Sequence, residues 1–445
     1  MVEGGREGSG SAEVARVLGR GSDRGEGAAG RGAAPVPGGL RVGVVADDLT
    51  GASDTGVQFA RRGYRTVVVF AGEPVPAGRW EAVVLDTDSR ALAPDEAALR
   101  VREASEKISG AGVVYKKIDS TLRGNVVAEV REMLAATGRK GAVIAPAFPA
   151  TGRTTSGGVQ MVYNRPVEKT EVGADPDNPV RESSLERMFS GPGGVRVIGT
   201  GSLERSEESP VEAACGYEYS IVDATEEGHL LLLVGGFDRL GDHLWVGSAG
   251  LAGALSERLK REEPLRQVDF TGADLPGAST GGGPVLIAVG SLSDTSRGQL
   301  EFLLERAGAE AVPLTDPLQT TRRARASLEA GRDTAVYSPR SRGTRSAVDI
   351  SGCFASVARG LDGAGTFGGL VLTGGDTAVA VGRALGGRGL RLGGEVEPGI
   401  PFGWLVGPRP YRVITKAGGF GGRDALAKAA AFIGAAGKPT ERQGG

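Results

Sequence analysis

Short apolar runs rich in β-branched residues alternate along the chain with longer stretches whose apolar positions recur at helical spacing. Val42 to Ala46 is such a run, and it reads as a buried strand. Asp47, Asp48, Leu49, Thr50 and Gly51 then form a polar turn. From Ser53 the pattern becomes helical, with Val57, Phe59 and Ala60 on one side and Gly63 as a stop signal. Thr66 to Phe70 restores the strand pattern. A strand–helix–strand unit predicts a parallel sheet with a site at the carboxyl ends of its strands.

The alternation continues. Ala82 to Leu85, Val113 to Tyr115 and Ala142 to Ala145 read as strands, with helices near residues 95–109 and 126–136. Residues 155–182 read as an irregular stretch, either a lid or a linker. Strand patterns return at 195–199 and 219–223, and a helix at 251–259. Residues 261–283 are charged, Pro-bearing and Gly-rich, which marks the best domain boundary. Beyond it, Val285 to Val289, Gly369 to Leu372 and Tyr411 to Thr415 each form a strand that runs into small residues and then a helix. The expectation is an α/β protein of two α/β domains with mainly parallel sheets. They would span 40–265 and 284–435, with a linker at 266–283 and disordered ends at 1–39 and 436–445.

Composition narrows the function classes. At 445 residues the chain suggests two or three domains, and 40 % hydrophobic residues is enough for real cores. A net charge of -2 provides no field for nucleic acid or an anionic membrane, and 5 % aromatics is poor for stacking on single strands. No run is apolar and long enough to span a bilayer, and the first residues lack a signal-peptide core. Cys215 and Cys353 lie far apart, so a reduced, cytoplasmic protein is expected. With only His229 and His243 besides, no Cys/His metal site is expected; a metal would be Mg²⁺ on oxygen ligands.

The first turn carries two carboxylates where a dinucleotide site would carry glycines. Asp47 and Asp48 would repel a phosphate there, and they suit hydroxyls, a cation or removal of an alcohol proton. Plain capping of the next helix is the competing reading. Four strands end in polar loops that share one sheet edge, collecting Asp47, Asp48, Arg90, Lys117, Asp119, Ser120, Arg123 and Arg153. Thr50 joins them from the first turn. Arg and Lys suit a carboxylate, while Asp and Ser suit hydroxyls, so a small polyhydroxy acid fits both. For any one of these residues a surface ion pair competes.

The second half repeats one device. Ser291 and Ser293 follow one strand; Gly374, Gly375, Asp376 and Thr377 follow the next; Lys416, Gly418, Gly419 and Gly421 follow the third. Small residues let backbone N–H groups close on a polyphosphate at helix starts, and Lys416 adds a mobile positive charge. None of these is a Walker A loop. The stretch Pro398 to Gly403 adds a rigid loop that suits a base pocket or a plain surface turn.

Taken together these stretches resemble the four-carbon acid sugar kinase family. The matching segments are ADDLTGASD (46–54), KKIDSTLRGN (116–125), APAFPATGRTT (145–155), GSAGLA (247–252), GSLSDTS (290–296), LTGGDTA (372–378), EPGIPFG (397–403) and TKAGGFGGRDAL (415–426). The resemblance implies an N-terminal sugar-acid domain, a C-terminal nucleotide domain and an active-site cleft between them. It implies ATP-dependent phosphorylation of the terminal hydroxyl of acids such as D-threonate, D-erythronate or 3-oxo-tetronate. It carries substrate contacts to Asp47, Asp48, Lys117, Asp119, Ser120, Arg123, Gly152 and Arg153, and ATP contacts to Ser291 or Ser293, to Gly374 through Thr377, and to Gly418, Gly419 and Gly421. ATP and Mg²⁺ are the expected cofactors, with Asp47 or Asp48 accepting or orienting the hydroxyl proton. A sugar-acid dehydrogenase or isomerase, or a non-catalytic sugar-acid and ATP sensor, are the alternatives. The oligomeric state stays open, a homodimer included.

Overall fold

The computed structural model describes residues 39–175, 178–205, 209–262, 283–340, 345–362 and 366–435, all within one structural unit. The expected disordered ends and linker fall outside these residues, apart from Gly39 and Gly283.

In the first half, β1 (Val42–Ala46), β2 (Thr66–Val69), β3 (Ala82–Asp86), β4 (Val113–Lys117) and β5 (Ala142–Ala145) are parallel strands. Helices α1 (Leu49–Ala60), α2 (Pro94–Ile108) and α3 (Val126–Thr137) make the crossovers. Helix α1 begins four residues earlier than its apolar spacing predicts. Asp48 is extended and its Oδ1 accepts from the Gly51 amide at 2.9 Å, so the polar turn is the capped first turn of the helix.

The stretch expected to be irregular folds as a small antiparallel sheet of β6 (Arg153–Ser156), β7 (Val159–Val162) and β8 (Arg165–Pro166). Its Gly-Gly turn is held by Asp223, whose two oxygens accept from the amides of Gly157 and Gly158 at 2.7 and 2.8 Å. Such short strands leave no periodicity to read. Strands β9 (Val195–Ile198), β10 (Tyr219–Val222) and β11 (Leu244–Gly247) then rejoin the large sheet.

The second half contributes β12 (Val285–Val289), β13 (Glu310–Pro313), β14 (Thr334–Tyr337), β15 (Gly369–Thr373), β16 (Gly389–Glu397), β17 (Ile400–Val406) and β18 (Arg412–Lys416). These do not form a separate sheet. Fifteen strands run continuously in the order β13-β14-β12-β15-β18-β17-β16-β2-β3-β1-β4-β11-β5-β10-β9. Neighbours are parallel except at β18–β17, β17–β16 and β16–β2.

The seam is the β16–β2 pair, with Gly389 opposite Val69 and Arg391 opposite Val67. The pattern reading missed β16 and took the start of β17 for a loop, because glycines interrupt the apolar alternation. Those glycines permit close approach: a Cβ on Gly389 would lie 2.2 Å from the Val68 carbonyl oxygen, and one on Gly403 2.1 Å from that of Arg391.

Three antiparallel steps make the parallel strands of the second half run opposite to those of the first. A flat sheet would put the two carboxyl edges on opposite sides. Natural sheets twist by roughly 20–25° per strand, so the six steps from β1 to β15 accumulate roughly 120–150° and swing the edges toward each other. Their meeting is visible between the starts of two helices: a Cβ on Gly375 would lie 3.1 Å from Thr50 Oγ1.

Alternate residues of each strand enter cores on the two faces. Val44 and Leu286 belong to one core that runs under both halves, whereas Val45 and Ile287 belong to two separate cores on the other face. Among the described residues no helix is long and apolar enough to cross a membrane. Gly389→Val is expected to cost roughly 1–3 kcal/mol by overpacking the seam, read as a lower midpoint in a thermal melt. An unchanged midpoint would mean that the seam can open without penalty.

Candidate active site between the two halves

A cavity of about 160 Å³ lies where the two carboxyl edges converge. The first half lines it with Asp48, Thr50, Arg90, Lys117, Asp119, Ser120, Arg123 and Arg153, all expected at one edge. The second half adds Gly375 and Gly418. Asp54, Phe148, Ala417 and Phe420 also line it and were not anticipated as contacts.

One guanidinium organises the acids. Arg90 Nε and Nη2 donate to the two oxygens of Asp47 at 2.7 and 3.1 Å, and Nη1 and Nη2 donate to the two oxygens of Asp48 at 2.9 and 2.8 Å. Burial by itself would raise the Asp47 carboxyl, but Arg90, Lys116 and Lys117 hold it below its ordinary value. Asp47 is buried behind the cavity wall, and Asp48 also caps α1. The capping reading and the cluster reading are therefore both true of Asp48. Both carboxylates are committed to a brace, which makes them poorly placed to act as a free base.

Beneath the brace, Lys116 Nζ pairs with Glu129 Oε2 at 2.8 Å and donates to the Lys117 carbonyl at 2.7 Å. Ser89 Oγ donates to Glu129 Oε1 at 2.7 Å, tying in the loop that carries Arg90. Glu129 has a signal in the sequence: an acid on the apolar face of α3, between Val126, Val130 and Met133.

Lys117 is different. It is 4 % exposed, and its ammonium makes no hydrogen bond or ion pair among the described residues. It lies against the first turn of α1, where a Cβ on Gly51 would be 2.6 Å from Nζ. A cation at a helix start is electrostatically unfavourable until an anion joins it.

Asp119 accepts from Arg123 Nε at 2.6 Å and from Thr121 Oγ1 at 2.5 Å. Burial opposes its ionisation, yet Arg123, Arg90 and Lys117 hold it well below the usual carboxylate range. Ser120 presents its carbonyl to Gln160 Nε2 at 2.7 Å, which ties the small sheet to the site. Gly152, with φ of 74°, closes the turn before Arg153 and lies outside the cavity lining. Arg153 lies over the Tyr163 ring at 5.8 Å.

The three late loops sit side by side, because β12, β15 and β18 are adjacent and parallel. Ser291 Oγ donates to Ser293 Oγ at 3.2 Å, and Ser293 caps the next helix and donates to the Gly418 carbonyl at 2.8 Å. Thr377 Oγ1 packs against Gly290, where a Cβ would be 1.9 Å away. Gly374 takes φ of 97° to start its helix, Asp376 is exposed in its first turn, and Gly421 has φ of 83°.

Lys416 is not the mobile charge expected of it. It is 3 % exposed and donates to the carbonyls of Ala417, Gly418 and Phe420 at 2.8, 3.1 and 3.0 Å. Burial lowers its pKa to about 8. With the carbonyls turned onto Lys416, the amides of Gly418 and Gly419 bond to no described residue. That is the arrangement of an anion cradle.

Residues 42–255 match the family model of a sugar-binding N-terminal domain, and residues 286–426 that of a nucleotide-binding C-terminal domain. The chain is 35 % identical to the D-threonate kinase of Salmonella typhimurium over 88 % of its own length and 97 % of that protein. It is 31 % identical to the D-erythronate kinase of Heliobacterium modesticaldum over 86 % and 94 %. A protein of solved structure from Salmonella typhimurium LT2 shares the fold, with a TM-score of 0.74 at 24 % identity, covering 88 % of this chain and 98 % of that one.

Arg90→Ala is expected to destabilise the protein most at neutral pH. A carboxyl whose folded pKa is depressed contributes stability above its ordinary value, 3.8 for Asp47, and loses it as pH falls through the folded value. The melting-temperature gap between wild type and Arg90→Ala should therefore narrow below pH about 4. A gap independent of pH would refute the electrostatic account.

Proposed function

The chain belongs to the four-carbon acid sugar kinase family, and on that premise we propose that it transfers the γ-phosphoryl group of ATP to the terminal hydroxyl of a four-carbon sugar acid. D-threonate is the first candidate, given the higher identity to a kinase of that acid than to the D-erythronate kinase. The observation that carries this reading is the shared cavity, in which cations and hydroxyl-binding groups of one half face the free amides of the other.

Phosphoryl transfer asks little covalent chemistry of a protein; it asks for positioning and charge neutralisation. In this reading Lys117 and Arg123 receive the carboxylate of the acid, and Asp119, Ser120 and Thr50 orient its hydroxyls. Gly375, Gly418 and Gly419 present amides to the triphosphate. Among the described residues no group of three His, Cys, Asp or Glu side chains is placed to hold a metal ion. Asp376, exposed in the first turn of the helix that starts at Gly375, is the carboxylate that would hold a Mg²⁺ brought by the nucleotide. When bound, that ion neutralises charge on the transferred group. Cys215 and Cys353 are free thiols, in keeping with an enzyme of the reducing cytoplasm.

The test is ADP release by the full chain with MgATP against a panel of four-carbon acids. Turnover that depends on the acid supports the reading, and ATP consumption indifferent to every acid overturns it. Within an active enzyme, Arg123→Ala should raise KM for the acid roughly tenfold or more while KM for ATP holds. Unchanged saturation by the acid would remove Arg123 from the site.

A further inference from the structure

The reaction proposed above, on which this inference rests, needs somewhere for the hydroxyl proton to go. The first-turn aspartates are ill suited. All four of their oxygens accept from Arg90, and Asp48 Oδ1 also accepts from the Gly51 amide. Asp119 is held by Arg123 and Thr121. The remaining carboxylate on the cavity wall is Asp54, one and a half turns along α1 from the cap. Its carboxyl makes no hydrogen bond with a described residue, and Oδ1 is sealed from solvent without a partner. The residue itself is half-buried at the cavity wall, and a carboxylate that keeps a buried acceptor unsatisfied is costly unless its charge is put to use there.

We propose that Asp54 is the general base, taking the proton from the terminal hydroxyl of the sugar acid as that oxygen attacks phosphorus. A new O–P bond forms between the acid and the γ-phosphorus. The bond from that phosphorus to the β,γ-bridging oxygen breaks, and its electron pair leaves on ADP. The proton passes to the Asp54 carboxylate and then to water. Lys117 faces the same space and holds negative charge nearby without bonding to the base itself.

The surroundings poise Asp54 for this task. Burial raises its pKa to about 7, with Glu395 and Asp48 adding to the rise and Lys117 opposing it. Tyr115 also feels its charge, and burial keeps that phenol neutral. Glu395 reaches it from β16 and is itself paired with Arg61 at 2.8 Å. Arg90 and Arg123 line the cavity beyond. A base with a pKa near the working pH is the most effective kind. Because only the ionised form accepts a proton, kcat should rise with pH through that midpoint and level off above it.

The experiment compares wild type and Asp54→Asn as full chains, by ADP release with MgATP and D-threonate from pH about 5 to about 9. Asp54→Asn should lose roughly 10²–10⁴ in kcat, keep both KM values within about threefold, and lose the pH-dependent rise. An active wild type alongside a variant within tenfold of its kcat, or one retaining the rise, would overturn the inference alone. A wild type inactive with every acid would overturn the kinase reading and the inference with it. A thermal melt reports whether the variant folds. Should it not fold, Glu395→Gln gives the second measurement. Removing that negative charge should move the midpoint of the rise to lower pH, and a fixed or upward-moving midpoint would overturn the assignment.

Discussion

The pairing of β2 with β16 is the constraint from which the site follows. It makes one hydrogen-bonded sheet of two βα-built halves and reverses the strand direction between them. Twist then converts an opposed arrangement into a facing one, so that α1 starts opposite the helix Gly375–Ala384. Helix α1 spans the junction. Gly56 lies against Leu392, and Gln58 and Arg61 reach Glu395 on β16. The same helix offers Asp48, Thr50 and Asp54 to the cavity. A displacement of α1 would disturb the seam and the chemistry together.

Within the cavity, electrostatics sorts residues of one type into different tasks. Asp47 and Asp48 are saturated by a planar guanidinium whose fork matches carboxylates in a way that lysine does not. Asp54, a few residues along the same helix, has no such partner, and burial sends its proton affinity the other way. The lysines divide likewise. Lys116 is spent on Glu129, Lys416 on its own loop, and Lys117 is left with charge to offer. A free group is informative here because its neighbours are so fully committed.

Much of this was legible in the chain. β1, β4 and β5 announce themselves as β-branched runs, and parallel order follows from the intervening helices. That order gathers Arg90, Lys117, Asp119 and Arg123 at one edge without knowledge of any contact. What stayed hidden has physical reasons. The β16–β17 hairpin is glycine-rich because a neighbouring backbone passes within reach of its Cα atoms, and the apolar alternation that betrays a strand is lost with the side chains. Lys416 looked like a free cation because a sequence does not say that a loop will fold back over its own lysine. Asp54 stands in the ADDLTGASD motif, yet only its lack of a hydrogen-bonded cation distinguishes it from the two acids that open the motif.

The shared sheet also bears on how such a protein can change over evolutionary time. The halves match two separate domain models, as though they were interchangeable modules. Yet a first half set loose would expose the open edge of β2, and a second half the open edge of β16, each a row of unanswered amides and carbonyls that invites foreign strands. Recombination between relatives would have to carry both sides of that joint as a matched set, so the lineage of one half is bound to the lineage of the other at three residues of backbone.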